Sequence, residues 1–201
     1  MSVTEQKKEL RTTLTDQVKA LDPTDRLLLD AQIAGRVTQL QEWRRSRIVL
    51  AYFAMNDEVD LDPLLRAARQ DGKEIAIPRI AGSSRAMSLH LTGSDGAALE
   101  RHPFGFLQPA ADSPMVPPER YGEMIVIVPA RGLDRRGNRL GRGGGYYDRL
   151  IAQIQGAAVT VGVVYACQLL RDVPVGSQDM AVDLIVTDRE TCFCRNLTNG
   201  R

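Results

Sequence analysis

The chain has 201 residues, 43% hydrophobic and 25% charged, which tells against global disorder and supplies one substantial core rather than two. Lys and Arg number 26 against 25 Asp and Glu, so the net charge of +1 tells against nucleic-acid binding over the whole surface. No apolar run approaches the roughly 18–20 residues of a membrane span, and the polar start MSVTEQKKELRTTL lacks the apolar centre of a signal peptide.

In chain order, residues 2–20 read as a helix. Ser2 and Glu5 have capping-box spacing, and Leu10, Leu14, Val18 and Leu21 form one stripe. Asp22 and Pro23 open a second helix, whose stripe is expected to run through Leu27, Ala31, Ala34, Val37 and Leu40. Ile48–Ala54 is a continuous apolar run, as in a strand buried on both faces. Asp62-Pro63 is expected to cap a third helix that Gly72 closes. Glu74–Pro78 reads as a strand with Met87–Leu91 as its hairpin partner, and residues 92–122 as irregular. Met124–Val128, Val159–Tyr165 and Val182–Thr187 read as strands, and 144–155 as a helix.

Strands alternating with helices give an α/β fold: a single domain over 1–201, three-layered and Rossmann-like. Its mostly parallel sheet is flanked by helices, with an N-terminal helical pair packed on it. Cys167, Cys192 and Cys194 are an odd set in a chain of ordinary size, as expected of reduced cytoplasmic thiols. His90 and His102, the only histidines, supply a histidine metal cage poorly.

Open parallel sheets bind ligands beyond the carboxyl ends of their strands. The segment after Met124–Val128 is the unusual one. It runs roughly fifteen residues before helix resumes, against about 2–6 for an ordinary connection. It holds Gly137, Gly141, Gly143, Gly144 and Gly145 among arginines that include Arg139 and Arg142. Glycines let backbone N–H groups approach an anion, a following helix adds its positive end, and guanidinium groups fork onto phosphate oxygens. Physically this is a phosphate cradle. It is not a Walker loop, and Tyr146 stands where a dinucleotide fingerprint needs its third glycine. A surface Gly/Arg loop and an RGG-like nucleic-acid segment are the plainer alternatives.

Gly137-x-Arg139-Leu140-Gly141-x-Gly143-x-Gly145-Tyr146-Tyr147-Asp148 closely resembles the signature of the 5-formyltetrahydrofolate cyclo-ligase family. Further resemblances stand in order: Lys7-x-x-Leu10-Arg11; Tyr52 with Glu58-Val59; Pro129 with Asp134; Gln168, Pro174 and Asp179-x-x-Val182-Asp183. The likeness spans essentially the whole chain. Gln108 departs from it where the family often carries a glutamate, and Arg131 and Gly132 replace more apolar residues.

The resemblance implies ATP- and Mg²⁺-dependent closure of 5-formyltetrahydrofolate to 5,10-methenyltetrahydrofolate, by a cytoplasmic monomer with no nucleic-acid or membrane partner. It implies ATP contacts at Lys7, Arg11, Arg139, Gly141, Arg142, Gly143, Gly144, Gly145 and Tyr146. The segment from Arg142 to Tyr146 would also meet the formyl end of the folate, with Arg142 on the transferring phosphoryl group. Phe53 and Glu58 match its folate-binding strand end, although an aromatic in an apolar strand is usually core. Asp148 and Asp179 match its Mg²⁺ carboxylates, with Asp183 a rival for the second place. Solvated arginines and lysines and ordinary ion pairs are the alternatives at each position. For the whole chain, the alternatives are a sugar-phosphate isomerase or acyl-CoA transferase using Glu58, and a nucleotide- or RNA-binding regulator.

Overall fold

The structure is a computed structural model that describes residues 2–81, 86–93, 99–102 and 105–194. Helix α1 spans Val3–Lys19, with Ser2 and Glu5 forming the expected reciprocal cap. Helix α2 spans Pro23–Gln39, where the Asp22 side chain accepts the Thr24 N–H at 2.7 Å. A short α3, Gln41–Arg45, buries Trp43 and leads into β1, Ile48–Leu50. Then come α4 (Asp62–Gln70), β2 (Glu74–Ala81), β3 (Ala86–Leu91), β4 (Leu99–Arg101) and β5 (Leu107–Pro109). After a 3-10 turn at Pro118–Glu123 follow β6 (Met124–Pro129), β7 (Gly132–Asp134), β8 (Arg139–Leu140) and α5 (Tyr146–Ile154). The chain continues through β9 (Val159–Val163), β10 (Leu169–Leu170), β11 (Leu184–Val186) and β12 (Thr191–Phe193).

Seven strands form the main sheet in the order β12-β11-β9-β6-β1-β2-β3. Pairings from β11 through β2 are parallel, and the two edges, β12 and β3, are antiparallel. Alternate residues of each strand face opposite sides, as strand geometry requires. Val49, Ile75, Ile125, Ile127 and Val161 pack with Ile33, Val37, Trp43 and Leu64 from α2, α3 and α4. Ile48, Leu50, Ala76, Val126 and Val128 pack on the other face with Leu150, Ile151 and Ile154 of α5. The three-layer α/β reading of the sequence is the observed architecture. No helix among the described residues is long and apolar enough to cross a membrane.

The crossover through α4 carries the chain from β1 to β2, and that through α5 from β6 to β9 in the opposite direction along the sheet. Their helices therefore lie on opposite faces, and β1 and β6 lie side by side where the direction reverses. A crevice opens beyond the carboxyl ends at such a switch point.

Several local expectations fail for identifiable reasons. Leu27 and Leu28 of α2 are 67% and 60% exposed, and Ala31 is exposed, so the expected stripe holds only further along, at the buried Ala34, Val37 and Leu40. Arg26 and Asp30 turn inward instead, because both bond the Tyr165 hydroxyl, at 3.3 and 2.7 Å. Strand β1 stops at Leu50, not Ala54: Ala51 makes one more bond to Ala76, and Tyr52 and Phe53 beyond it line the crevice. Asp62 lies inside α4 rather than capping it; the cap position is Leu61. Residues 92–122 contain β4, β5 and most of the 3-10 turn, strands too short to show a period.

Candidate active site

The long connection after β6 is not a floppy loop. Strands β7 and β8 pair antiparallel, and β10 adds in parallel to β7, making a separate three-stranded sheet. The fully buried Asp134 carboxylate organises its turn. It accepts the N–H groups of Arg136 (2.9 Å), Asn138 (3.2 Å) and Val173 (3.0 Å), and the Asn138 amide at 2.9 Å. Burial works against that carboxylate's charge, but these donors outweigh it and hold Asp134 below its ordinary pKa. Helix α1 docks on this sheet. Leu14 packs with Leu140 and Val173, and a Cβ at Gly132 would lie 2.8 Å from the Leu14 methyl.

The glycine block follows β8. Gly143 has φ +104° and Gly145 φ +66°, conformations L side chains rarely adopt. Gly145 is the cap residue of α5, and no side chain closes that helix end. Backbone N–H groups at an uncapped helix start, reached through glycine, make an anion cradle. From α1, Arg11 donates Nε to the Gly141 carbonyl at 2.8 Å and lies over Gly143.

Around the cradle opens a cavity of about 720 Å³. Its cationic groups are all engaged. Lys7 pairs with Asp179, which also accepts the Gly176 N–H at 2.5 Å. Burial pushes the Asp179 carboxyl up, yet the Gly176 N–H and Lys7 hold it below its ordinary value. Arg139, with a side chain only 4% exposed, pairs with Asp148 at 2.9 Å, and its buried Nε has no partner among the described residues. Arg142 donates Nε to Glu58 at 2.8 Å and a terminal nitrogen to Asp57. The other Asp57 oxygen takes Arg131 at 2.7 Å. Burial alone would lower both guanidinium groups. Glu58 and Asp57 reverse that for Arg142, whereas Arg131 stays below its ordinary value.

The remaining wall is apolar: Phe53, Ile77, Pro78, Ile80, Met87 and, from the β4–β5 segment, Phe106 and Leu107. The Tyr147 hydroxyl is pushed upward by burial, so it stays a neutral donor.

All thirteen positions singled out in the sequence line this cavity: Lys7, Arg11, Phe53, Glu58, Arg139, Gly141–Tyr146, Asp148 and Asp179. Their partners differ from the expected ones. Arg142 is not a lone cation facing the cradle but is clamped by two carboxylates. Glu58 ends no strand; it sits in a turn beyond β1, accepting the Met55 N–H at 2.9 Å as well as Arg142. Asp148 pairs with Arg139, and Arg149 reaches the Gly144 carbonyl at 2.9 Å. Asp183 bonds Thr160 on β9 and does not line the cavity. Asp57 is a site residue that the sequence reading does not single out, although a second carboxylate beside Glu58, after a buried apolar run, is the available signal. Arg131, read only as a departure, turns out to be its partner.

A model of the 5-formyltetrahydrofolate cyclo-ligase family matches residues 3–188. The chain is 28% identical to the 5-formyltetrahydrofolate cyclo-ligase of Mus musculus, over 92% of this chain and 95% of that one. It is also 28% identical to the protein of the same name from Mycolicibacterium smegmatis, over 91% and 94%. Among solved structures, the NMR structure of Aquifex aeolicus 5,10-methenyltetrahydrofolate synthetase superposes with a TM-score of 0.79 at 28% identity. That match covers 97% of this chain and 96% of the other.

Proposed function

The chain belongs to the 5-formyltetrahydrofolate cyclo-ligase family, and from that premise we propose that it converts 5-formyltetrahydrofolate and ATP to 5,10-methenyltetrahydrofolate, ADP and phosphate, with Mg²⁺. One observation carries the reading. A single cavity joins a glycine cradle and a set of cationic side chains, Lys7, Arg11, Arg139 and Arg142 among them, to an apolar wall. That suits a polyphosphate laid against an aromatic ring system. The expected setting is the cytoplasm, as a monomer.

The chemistry asks for positioning and charge stabilisation, not for a protein nucleophile. A formamide carbon is a poor electrophile because nitrogen donates into it. Transfer of the γ-phosphoryl group to the formyl oxygen releases ADP and leaves an iminium-like carbon. N10 attacks that carbon and gives up its proton, the carbon–oxygen bond breaks, and phosphate leaves with the formyl oxygen. In this reading the N–H groups at Gly143–Gly145 and the Arg142 guanidinium face the transferring phosphoryl group. Lys7, Arg11 and Arg139 hold the rest of the phosphate chain. Phe53 and Glu58 orient the pterin, the carboxylate accepting from its donor edge.

Asp148 and Asp179 supply hard carboxylate oxygens at the cradle, the donor type Mg²⁺ takes. Among the described residues no cluster of three His, Cys, Asp or Glu surrounds them, so phosphate oxygens and water would complete the shell. Held there, Mg²⁺ would supply charge neutralisation on the phosphate oxygens. Lys7 and Arg139, which pair with these carboxylates in the structure, would then be free to turn toward phosphate.

Incubation with 5-formyltetrahydrofolate and Mg·ATP, followed by the methenyl absorbance, tests the reading. Product is expected only when folate, ATP and Mg²⁺ are all present, with ADP released. Product without ATP, or AMP in place of ADP, overturns it.

A further inference from the structure

Among the described residues, strands β4 and β5 pair with each other and stand outside the ladder of the main sheet. Yet Leu107, the first residue of β5, and Phe106 just before it form part of the cavity's apolar wall with Ile80 and Pro78 of β2. Side chains hold this small sheet in place. Gln108 is only 3% exposed, while Leu107 next to it is 37% exposed. Its Oε1 accepts the Ile80 N–H at 3.2 Å, and its Nε2 donates to Glu100 Oε1 at 3.0 Å, directly across from it on β4. Arg79 of β2 donates to the same Glu100 oxygen at 2.5 Å and to the Pro109 carbonyl at 2.6 Å.

We propose that Gln108 is a positioning residue for the substrate's aryl portion: its amide ties the β4–β5 sheet to β2 and so fixes where Phe106 and Leu107 stand in the cavity wall. The identification of the ligand rests on the reading given above; the tie itself does not. A neutral amide fits the position, and an ionised carboxylate does not. It must accept from a backbone N–H at one end and donate to a carboxylate at the other. A carboxylate of the same size would face Glu100 and lose the donor. The charged groups facing the position are Arg79 from β2 and Glu100, with His102 near Glu100 at the end of β4. Arg79 first, and Gln108 after it, hold the Glu100 carboxyl below its ordinary value, so Glu100 is the charged member of the pair.

Gln108→Glu makes the tie depend on pH. At about pH 8 the introduced carboxylate repels Glu100, and the folate KM rises about tenfold, as for a buried group left without its partner. Burial and the like charge raise the pKa of the introduced group, so near pH 5.5 it protonates, donates to Glu100 and brings the KM back toward wild type. The ATP KM moves much less than the folate KM. Adding Glu100→Gln restores the low folate KM at about pH 8, since amide and carboxylate have then changed places. Backbone hydrogen exchange over residues 99–109 follows the same pattern without any substrate: faster in Gln108→Glu, restored in the double variant. Inactivity of the wild type would sink the reading of the site. Wild-type exchange in Gln108→Glu, or a wild-type folate KM at every pH in an active enzyme, would sink the role of Gln108. So would a Gln108→Glu chain that fails to fold and is not repaired by Glu100→Gln.

Discussion

Arg142 and Glu58, 84 positions apart in the chain, meet at 2.8 Å, guanidinium Nε to carboxylate Oε1. One belongs to the loop after β6, the other to the turn after β1, and the adjacency of those strands brings them together. In the proposed reaction Arg142 serves the phosphoryl group and Glu58 the pterin. On that proposal their contact would set the two substrates' ends side by side, where the formyl oxygen must receive phosphate.

Arg142→Ala is expected to lower kcat by about 10²–10³, the usual cost of losing a donor that acts mainly in the transition state, with a smaller change in the ATP KM. Arg142→Lys recovers only part, because a point charge cannot fork onto Asp57 and Glu58 together. Steady-state kinetics on folded variants decide this. A raised KM with unchanged kcat would make Arg142 a uniform binding group.

Glu58→Gln keeps the side chain's size and exchanges one acceptor for a donor. The folate KM should rise about tenfold, the loss of one hydrogen bond to a charged group, and the ATP KM much less. Equal rises in both would assign Glu58 only to holding Arg142. Asp57→Asn is the companion variant, since Asp57 touches the arginines but not the cavity. It should reduce kcat by about tenfold through Arg142 and spare the folate KM.

Asp148→Asn should raise the Mg²⁺ concentration needed for half-maximal rate several-fold and leave the circular dichroism spectrum unchanged. An Mg²⁺ titration that overlays the wild type would reduce Asp148 to a partner of Arg139.

Asp134→Asn should cost about 2 kcal/mol near neutral pH, because a charged acceptor of several N–H groups becomes neutral. The sign with pH follows from the lowered folded pKa. Stability from the ionised group is fully present above the unfolded value of about 3.9 and is lost as pH falls through the folded one. Urea midpoints of the two proteins should therefore converge below about pH 4. A gap that persists in acid would remove the charge from the explanation.

Elements with a cap and a clean period were legible in the sequence. Ser2, Glu5 and the Leu10–Leu14–Val18 stripe define α1, and the β2–β3 hairpin and β6 lie where alternation or an apolar run put them. In helix α2 the Asp22 cap and the buried Ala34, Val37 and Leu40 lie where the sequence puts them, but the first turns do not: Leu27-Leu28-Leu29 fits more than one face, and the choice is made by Tyr165, far along the chain. The site's residue types were visible at Gly141–Tyr146, since glycine and arginine report backbone approach and anion chemistry locally. The pairs were not: Arg131 to Asp57, Arg139 to Asp148 and Lys7 to Asp179 are set by which strands and helices end near one another. The β4–β5 sheet left no period, being three residues a side.

The docking of α1 on the β7–β8–β10 sheet has a consequence for synthesis. Arg11 reaches Gly141 across 130 positions, and Lys7 reaches Asp179 across 172. On the ribosome, β1, β2, β3 and β6 have all emerged while the first helix still lacks the partners that seat it. Contacts of that span close late, because loop entropy must be overcome before they stabilise anything. A chain cut short before Asp179 would hold Asp57, Glu58 and Asp148 but lack the carboxylate that pairs with Lys7, so the cavity is complete only once that segment has been made.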